Sequence, residues 1–132
     1  MVKEMRMKMH EWHGIGLAAT QVGMTESVFV AQAPQGKFYA IFNPKITKTE
    51  GKQLLMEEGC LSVPGVYGEV PRYEKIVIEG LDQNGKPIKI KAWDLLAQIF
   101  QHETDHLHGI LDIDKMKKTY ALPTGERLKE KA

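Results

Sequence analysis

A single cysteine, Cys60, stands among 132 residues, so no disulfide can close within the chain and a reducing compartment suits it. Neither sign of charge is in surplus, since 18 basic and 17 acidic residues leave a formal net charge of +1. That balance supplies no global attraction to DNA or to an anionic membrane. Long apolar runs are missing too: no stretch approaches the about eighteen uncharged apolar residues that a membrane-spanning helix needs. The opening Met-Val-Lys-Glu-Met-Arg-Met-Lys-Met-His is charged at nearly every second step and lacks the apolar stretch of a secretory leader. Repeats and low-complexity tracts are absent. What remains is ordinary for a globular chain, with 42% hydrophobic and 27% charged residues, and a chain of this length buries about two thirds of its unfolded surface. The expectation is one domain over 1–132 with a polar, frayed tail from about residue 115. It is expected in a cytoplasm, whether its own cell's, an organelle's equivalent, or that of the host of a virus encoding it.

Val2, Met5, Met9 and Trp12 recur at helical spacing and Gly14 ends the run, which predicts a first helix turning a methionine and tryptophan face to the core. His10 and His13 lie three apart, but with no third partner nearby a solvated pair is the better reading than a metal site. Between Gly14 and Gly23 fall three glycines and two alanines, composition for a tight loop whose backbone approaches another group closely. Ala19 stands where the fingerprint G-x-G-x-x-G requires its third glycine, and no clear strand precedes it, which argues against a dinucleotide site. By itself Gln21 is an unremarkable polar residue of that loop.

Ser27–Ala31 and Phe38–Phe42 read as strands of a hairpin through Pro34-Gln35-Gly36. Asn43-Pro44 is expected to break the second, with Lys45–Glu50 resuming as an edge strand, and Glu57–Gly65 is a short extended piece between turn residues. Lys75–Glu79 and Pro87–Lys91 flank Asp82-Gln83-Asn84-Gly85, a strong hairpin signal that faces Ile88 and Ile90 inward and Lys89 and Lys91 to water. Strands followed by a long helical stretch argue an α+β fold.

That stretch carries the chemistry. No proline or glycine lies between Asp94 and His108, and Leu95, Ile99, His102 and His106 recur at spacings of four, three and four. Leu96, Phe100, Glu103 and Leu107 repeat the pattern one step round. The predicted helix is capped by Asp94 and closed by Gly109. Two histidines and a glutamate thus continue an apolar stripe, where burial costs several kcal/mol unless something pairs with them. Imidazoles at i and i+4 can hold one metal ion while the intervening carboxylate reaches the water that the ion activates, the basis of the H-E-x-x-H signature. A catalytic ion needs a third protein ligand. Asp112 fits the extended pattern H-E-x-x-H-x-x-G-x-x-D, but that pattern needs a methionine turn well downstream. Only twenty residues follow Asp112, and Met116 comes too soon. Cys60, on its strand-like segment, is the better ligand.

Three stretches, Gly14-Ile15-Gly16-Leu17-Ala18-Ala19-Thr20-Gln21, Glu58-Gly59-Cys60-Leu61-Ser62 and Gln101-His102-Glu103-Thr104-Asp105-His106-Leu107, resemble in order and separation the three motifs of peptide deformylases. The resemblance runs from about Gly14 to about Asp114. It implies an α+β enzyme of short antiparallel strands around a central metal-binding helix, which removes the formyl group from the initiator methionine of nascent chains and releases formate. It implies one divalent ion, iron(II) by preference, with zinc, nickel or cobalt as substitutes. Carried over by motif, Cys60, His102 and His106 would bind the ion, and Glu103 would take a proton from the attacking water and return it to the leaving amine. The Gln21 amide and the Leu61 N–H would hold the oxyanion, a donor of this kind being typically worth ~3–4 kcal/mol of barrier. Gly14, Ile15, Gly16 and Gly59 would give an extended peptide access to the backbone. Leu61, Leu95 and Ile99 would line a pocket for the methionine side chain. Arg72, Glu58 and Asp105 would orient the ligands from behind. The implied partners are an N-formylmethionyl peptide and, transiently, the ribosome, with neither membrane nor DNA.

The chain departs from the family pattern at both ends. Thirteen residues precede the first motif, where family members carry a few tens, and the tail beyond Asp114 is shorter and less regular than the C-terminal helix of many bacterial members. Two other readings are a small metalloprotease using Asp112 and a homologue that binds peptides without catalysis.

Overall fold

A computed structural model describes residues 1–59, 66–110, 118–121 and 127–130. Helix α1 (Val2–Glu11) leads into strands β1 (Gly16–Ala18), β2 (Val28–Gln32), β3 (Phe38–Gly59), β4 (Val66–Leu81) and β5 (Pro87–Trp93). Helix α2 (Asp94–Leu107) and strands β6 (Lys118–Ala121) and β7 (Arg127–Glu130) follow. Every strand pairing is antiparallel, in the order β1-β2-β3-β4-β6-β7. Since β3 takes one edge of β4, β5 and β6 share the other, at Lys75–Leu81 and Val66–Gly68.

The core lies on both faces of this sheet, and β2 shows why. Its Val28 and Val30 pack with Met5 and Met9 of α1, while Phe29 and Ala31 turn to the other face, toward Phe100 of α2. Because side chains alternate across a strand, a strand covered on both faces must be apolar throughout, and Val28, Phe29, Val30 and Ala31 are all fully buried. On the α2 side Phe100 meets Phe29 at 5.6 Å and the edge of Tyr39 at 5.3 Å between ring centroids. Its burial contributes about 1.5–3 kcal/mol.

Several expectations are met and several corrected. The two hairpins form, and β5 alternates as expected, with Ile88 and Ile90 packed against the core and Lys89 and Lys91 exposed. Asn43-Pro44 does not end its strand. The register steps from Phe42 opposite Leu81 to Lys45 opposite Glu79. Pro44 has no N–H to add to a ladder, and Asn43, at φ 50°, donates instead to the Ser27 carbonyl at 2.6 Å. Two further register shifts absorb other unpaired residues, so β3 runs for 22 residues and β4 for 16. The central strands are long, not short.

Trp12 leaves the apolar stripe because α1 stops at Glu11, and it is 42% exposed. His13 then takes a left-handed φ of 55° and Gly14 N–H closes on the Met9 carbonyl. Gly109 ends α2 as expected, at φ 76°. Asp94 does not cap α2 by a side-chain hydrogen bond; Trp93 holds the N-cap position and Asp94 opens the first turn, where its charge faces the positive end of the helix dipole. The glycine-rich stretch is more than a loop, since it forms β1 and a 3₁₀ turn, Ala19–Val22. The polar tail holds β6 and β7, because β5 leaves part of the β4 edge open to pairing. Among the described residues no helix is long and apolar enough to cross a membrane.

Candidate active site

The site is assembled by α2 lying across β4 and β1. His102 and His106 fall one turn apart on the helix, and their Nε2 atoms stand 3.0 Å from each other. Two nitrogens that share a tetrahedral ion at about 2.0–2.1 Å are about 3.3 Å apart, so the pair is already spaced for a common metal. Their protonation fits as well. Nδ1 of His102 lies 2.7 Å from Glu58 Oε1. Burial by itself would raise the Glu58 carboxyl, but hydrogen bonds from Arg72 and His102 outweigh it and hold it well below the usual carboxylate range. An ionised carboxylate only accepts, so His102 donates from Nδ1 and directs a lone pair out of Nε2. Burial, with the neighbouring His102, pushes His106 down to about 4, which keeps its ring neutral near pH 7. The donor set therefore fits a borderline cation such as zinc or iron(II).

Glu103 lies beside these nitrogens, with Oε2 3.9 Å from His102 Nε2 and the residue 3% exposed. Its carboxyl group is seated on Gly16 of β1. A Cβ added there would stand 2.5 Å from Glu103 Oε2 and 3.0 Å from its Cγ and Cδ. The close backbone approach expected of the glycine-rich stretch occurs here, and the approaching group is this carboxylate. Gly14 lacks such pressure, its Cβ position meeting only ordinary contacts at 3.5 and 3.7 Å.

Behind the histidines, Arg72 is 2% exposed and grips both oxygens of Glu58 through Nε and Nη2, each at 2.8 Å. Its Nη1 donates to Asp105 Oδ2. Desolvation would weaken the Arg72 charge, but the two carboxylates overcome it and hold the guanidinium protonated beyond its ordinary range. The structure thus brings together Arg72, Glu58, Asp105 and His102, the grouping expected of residues that orient the ligands. Gln21 sits in the 3₁₀ turn, and its Oε1 accepts the Ala18 N–H at 2.9 Å. That bond leaves the NH₂ end of the amide as the donor. Thr20 Oγ1 donates to the His106 carbonyl at 3.1 Å, tying this turn to the end of α2.

Other expected residues stand apart. Ile99 is 4% exposed within the core, whereas Leu95, one turn earlier, is 42% exposed, and Ile15 beside β1 is 49% exposed. Gly59 ends β3. Cys60, Leu61 and Asp112 lie outside the described residues. Among the described residues no third histidine, cysteine, aspartate or glutamate completes a metal-holding group. His10 and His13 are exposed, as expected of a pair with no third partner nearby.

Sequence reasoning passed over the glutamines of α2. Gln98 Nε2 donates to the Glu57 carbonyl at 3.1 Å and to Glu58 Oε2 at 3.2 Å. Gln101, 6% exposed, makes three hydrogen bonds. The available signal was a glutamine at the i+4 position from Ala97, on a helix face that buries its neighbours.

A histidine pair with a buried glutamate on one helix of an α+β fold defines a metal-dependent hydrolase of the H-E-x-x-H type. Within that class the match is specific: a profile of the polypeptide deformylase family covers residues 1–121. The chain belongs to this family. It is 46% identical over 117 residues to the peptide deformylase of Halothermothrix orenii, which covers 88% of this chain and 75% of that one. Its fold is similar to the crystal structure of peptide deformylase from Thermus thermophilus, with a TM-score of 0.81 and 42% identity over 85% of this chain and 67% of the other. It is also similar to the Synechococcus elongatus enzyme solved with actinonin, with a TM-score of 0.83 and 41% identity over 87% and 63% of the two chains. Enzymes of this family depend on a metal ion.

Proposed function

We propose that this chain hydrolyses the formamide at the N-terminus of formylmethionyl peptides, consuming one water and yielding formate and the free α-amine. The observation that carries the reading is the Glu103 carboxylate held beside two facing imidazole nitrogens, 3.9 Å from one of them, on the edge strand of a sheet. His102, His106 and Cys60 would hold a divalent ion, which would supply Lewis acidity to the site. We assign the third ligand to Cys60, whose thiolate with two imidazoles suits iron(II) or zinc better than magnesium or calcium; iron(II), with zinc, nickel or cobalt as substitutes, is the ion that the family resemblance implies.

Glu103 accepts the proton of the attacking water and passes it to the departing amine. The seat on Gly16 holds the carboxylate in place for both transfers. The Gln21 NH₂, oriented by the Ala18 N–H on its oxygen, donates to the oxyanion together with the Leu61 N–H. The peptide backbone pairs beside Gly14 and Ile15, which precede β1, Gly16, which opens it, and Gly59, which ends β3, in the manner of an added strand. Leu61, Leu95 and Ile99 are assigned to line the pocket for the methionine side chain, and of the two described residues Leu95 is exposed while Ile99 is buried in the core.

The test is formate release from a formylmethionyl peptide by protein reconstituted anaerobically with iron(II) or with nickel, alongside metal content. Parent protein should turn over, and Glu103→Gln should keep stoichiometric metal while losing at least ~10²-fold in kcat. Near-normal turnover by metal-loaded Glu103→Gln would sink the assigned role.

A further inference from the structure

Strand β5 ends opposite Lys75 of β4, at Trp93, and the chain then turns into α2. The next position on that edge of β4, two residues along, is Tyr73. Its N–H and C=O are both taken by one side chain: Gln101 Oε1 accepts from Tyr73 N and Gln101 Nε2 donates to Tyr73 O, each at 2.8 Å. The primary amide of Gln101 thus imitates a peptide group and adds one further rung after β5 stops. The same Nε2 donates to the Ala97 carbonyl one helical turn earlier, at 2.9 Å, so the amide is bound to the helix and to the sheet at once. Gln101 precedes His102 directly, and Tyr73 follows Arg72, the residue that grips Glu58 and Asp105.

We propose that Gln101 is a positioning residue for the deformylase reaction, setting the depth and rotation of α2 on β4 so that His102, His106 and Glu103 meet the reacting groups in register. The inference rests on the function proposed above. A sheet rung fixes the helix in two directions, along β4 through the paired bonds and about its own axis through Ala97. Apolar packing around Phe100 and Ile99 tolerates small slides that directional bonds do not. Displacements of about 1 Å in catalytic groups can cost ~10²-fold in rate, so loss of the rung should be felt at the reacting atoms before it is felt in the fold.

The test uses Gln101→Met, which keeps the length of the side chain and removes its donors and acceptor. It is measured as the cobalt-loaded enzyme for kcat, KM, metal per chain and visible absorption. The expected result is a folded protein with stoichiometric cobalt, kcat reduced at least ~10-fold, KM changed less than ~3-fold, and a shifted cobalt absorption band. If Gln101→Met does not fold, Gln101→Glu, which keeps the acceptor for Tyr73 N–H, is measured in the same way. Unchanged kcat and an unchanged cobalt band in the folded variant would overturn the proposal, as would failure of both variants to fold, which would make Gln101 a folding residue. Formate release by the parent tests the function itself, and the variant-to-parent ratios and the cobalt band test Gln101, so the two failures are distinguishable.

Discussion

Glu103 of α2 rests on Gly16 of β1, in the space that any Cβ at Gly16 would fill, 2.5 Å from the carboxylate oxygen. The first motif thus supplies the floor on which the glutamate of the third is seated. A methyl group introduced there must push the carboxylate from its place, since the backbone of β1 is anchored by its pairing with β2.

Gly16→Ala should therefore retain metal and fold, yet lose ~10–10²-fold in kcat, the scale expected when a reacting group is misplaced. The measurement is kcat with metal per chain on the purified variant. Wild-type kcat would mean that the carboxylate has room to swing away without cost.

The Arg72–Glu58–His102 contacts make stability depend on acid in a defined direction. The Glu58 carboxyl is held below its unfolded value by Arg72 and His102 against the opposing effect of burial. Such a group contributes stability that is full above its unfolded pKa of about 4.3 and is lost as pH falls below it. Glu58→Gln in the metal-free protein should cost about 3–5 kcal/mol at pH 7, because it leaves a buried guanidinium short of a partner. The cost should shrink toward pH 3. Urea midpoints at the two pH values check this, and parallel losses would contradict it.

His13 occupies the left-handed position after α1, at φ 55°, where a Cβ is unfavourable. His13→Gly should raise stability by about 0.5–1 kcal/mol without changing kcat. Thermal unfolding of the two proteins decides it; a lowered midpoint would show that the imidazole contributes more than the strain removes.

The third ligand is tested by metal content. Cys60→Ala should lose most of its metal on dialysis, since two imidazoles alone bind weakly. Asp112→Asn should keep metal and formate release, with stability changed by no more than about 0.5–1 kcal/mol. The opposite pair of outcomes would transfer the role to Asp112.

Much of this site was legible in one dimension. A helix puts residues three and four apart on one face by geometry that needs no partner, so His102, Glu103 and His106 declared their joint chemistry, and the three motifs together declared the family. The turn at Asp82–Gly85 and the alternation in β5 were legible for the same local reason. Tertiary structure alone decided what the sheet does. The lengths of β3 and β4, the pairing of β6 within a polar tail, the rung that Gln101 adds at Tyr73 and the seat of Glu103 on Gly16 all join residues far apart in the chain. Whether such a pair forms depends on which strand edge is left open and which backbone lies opposite. Those conditions exist only once the sheet is assembled, and no periodicity within either segment records them.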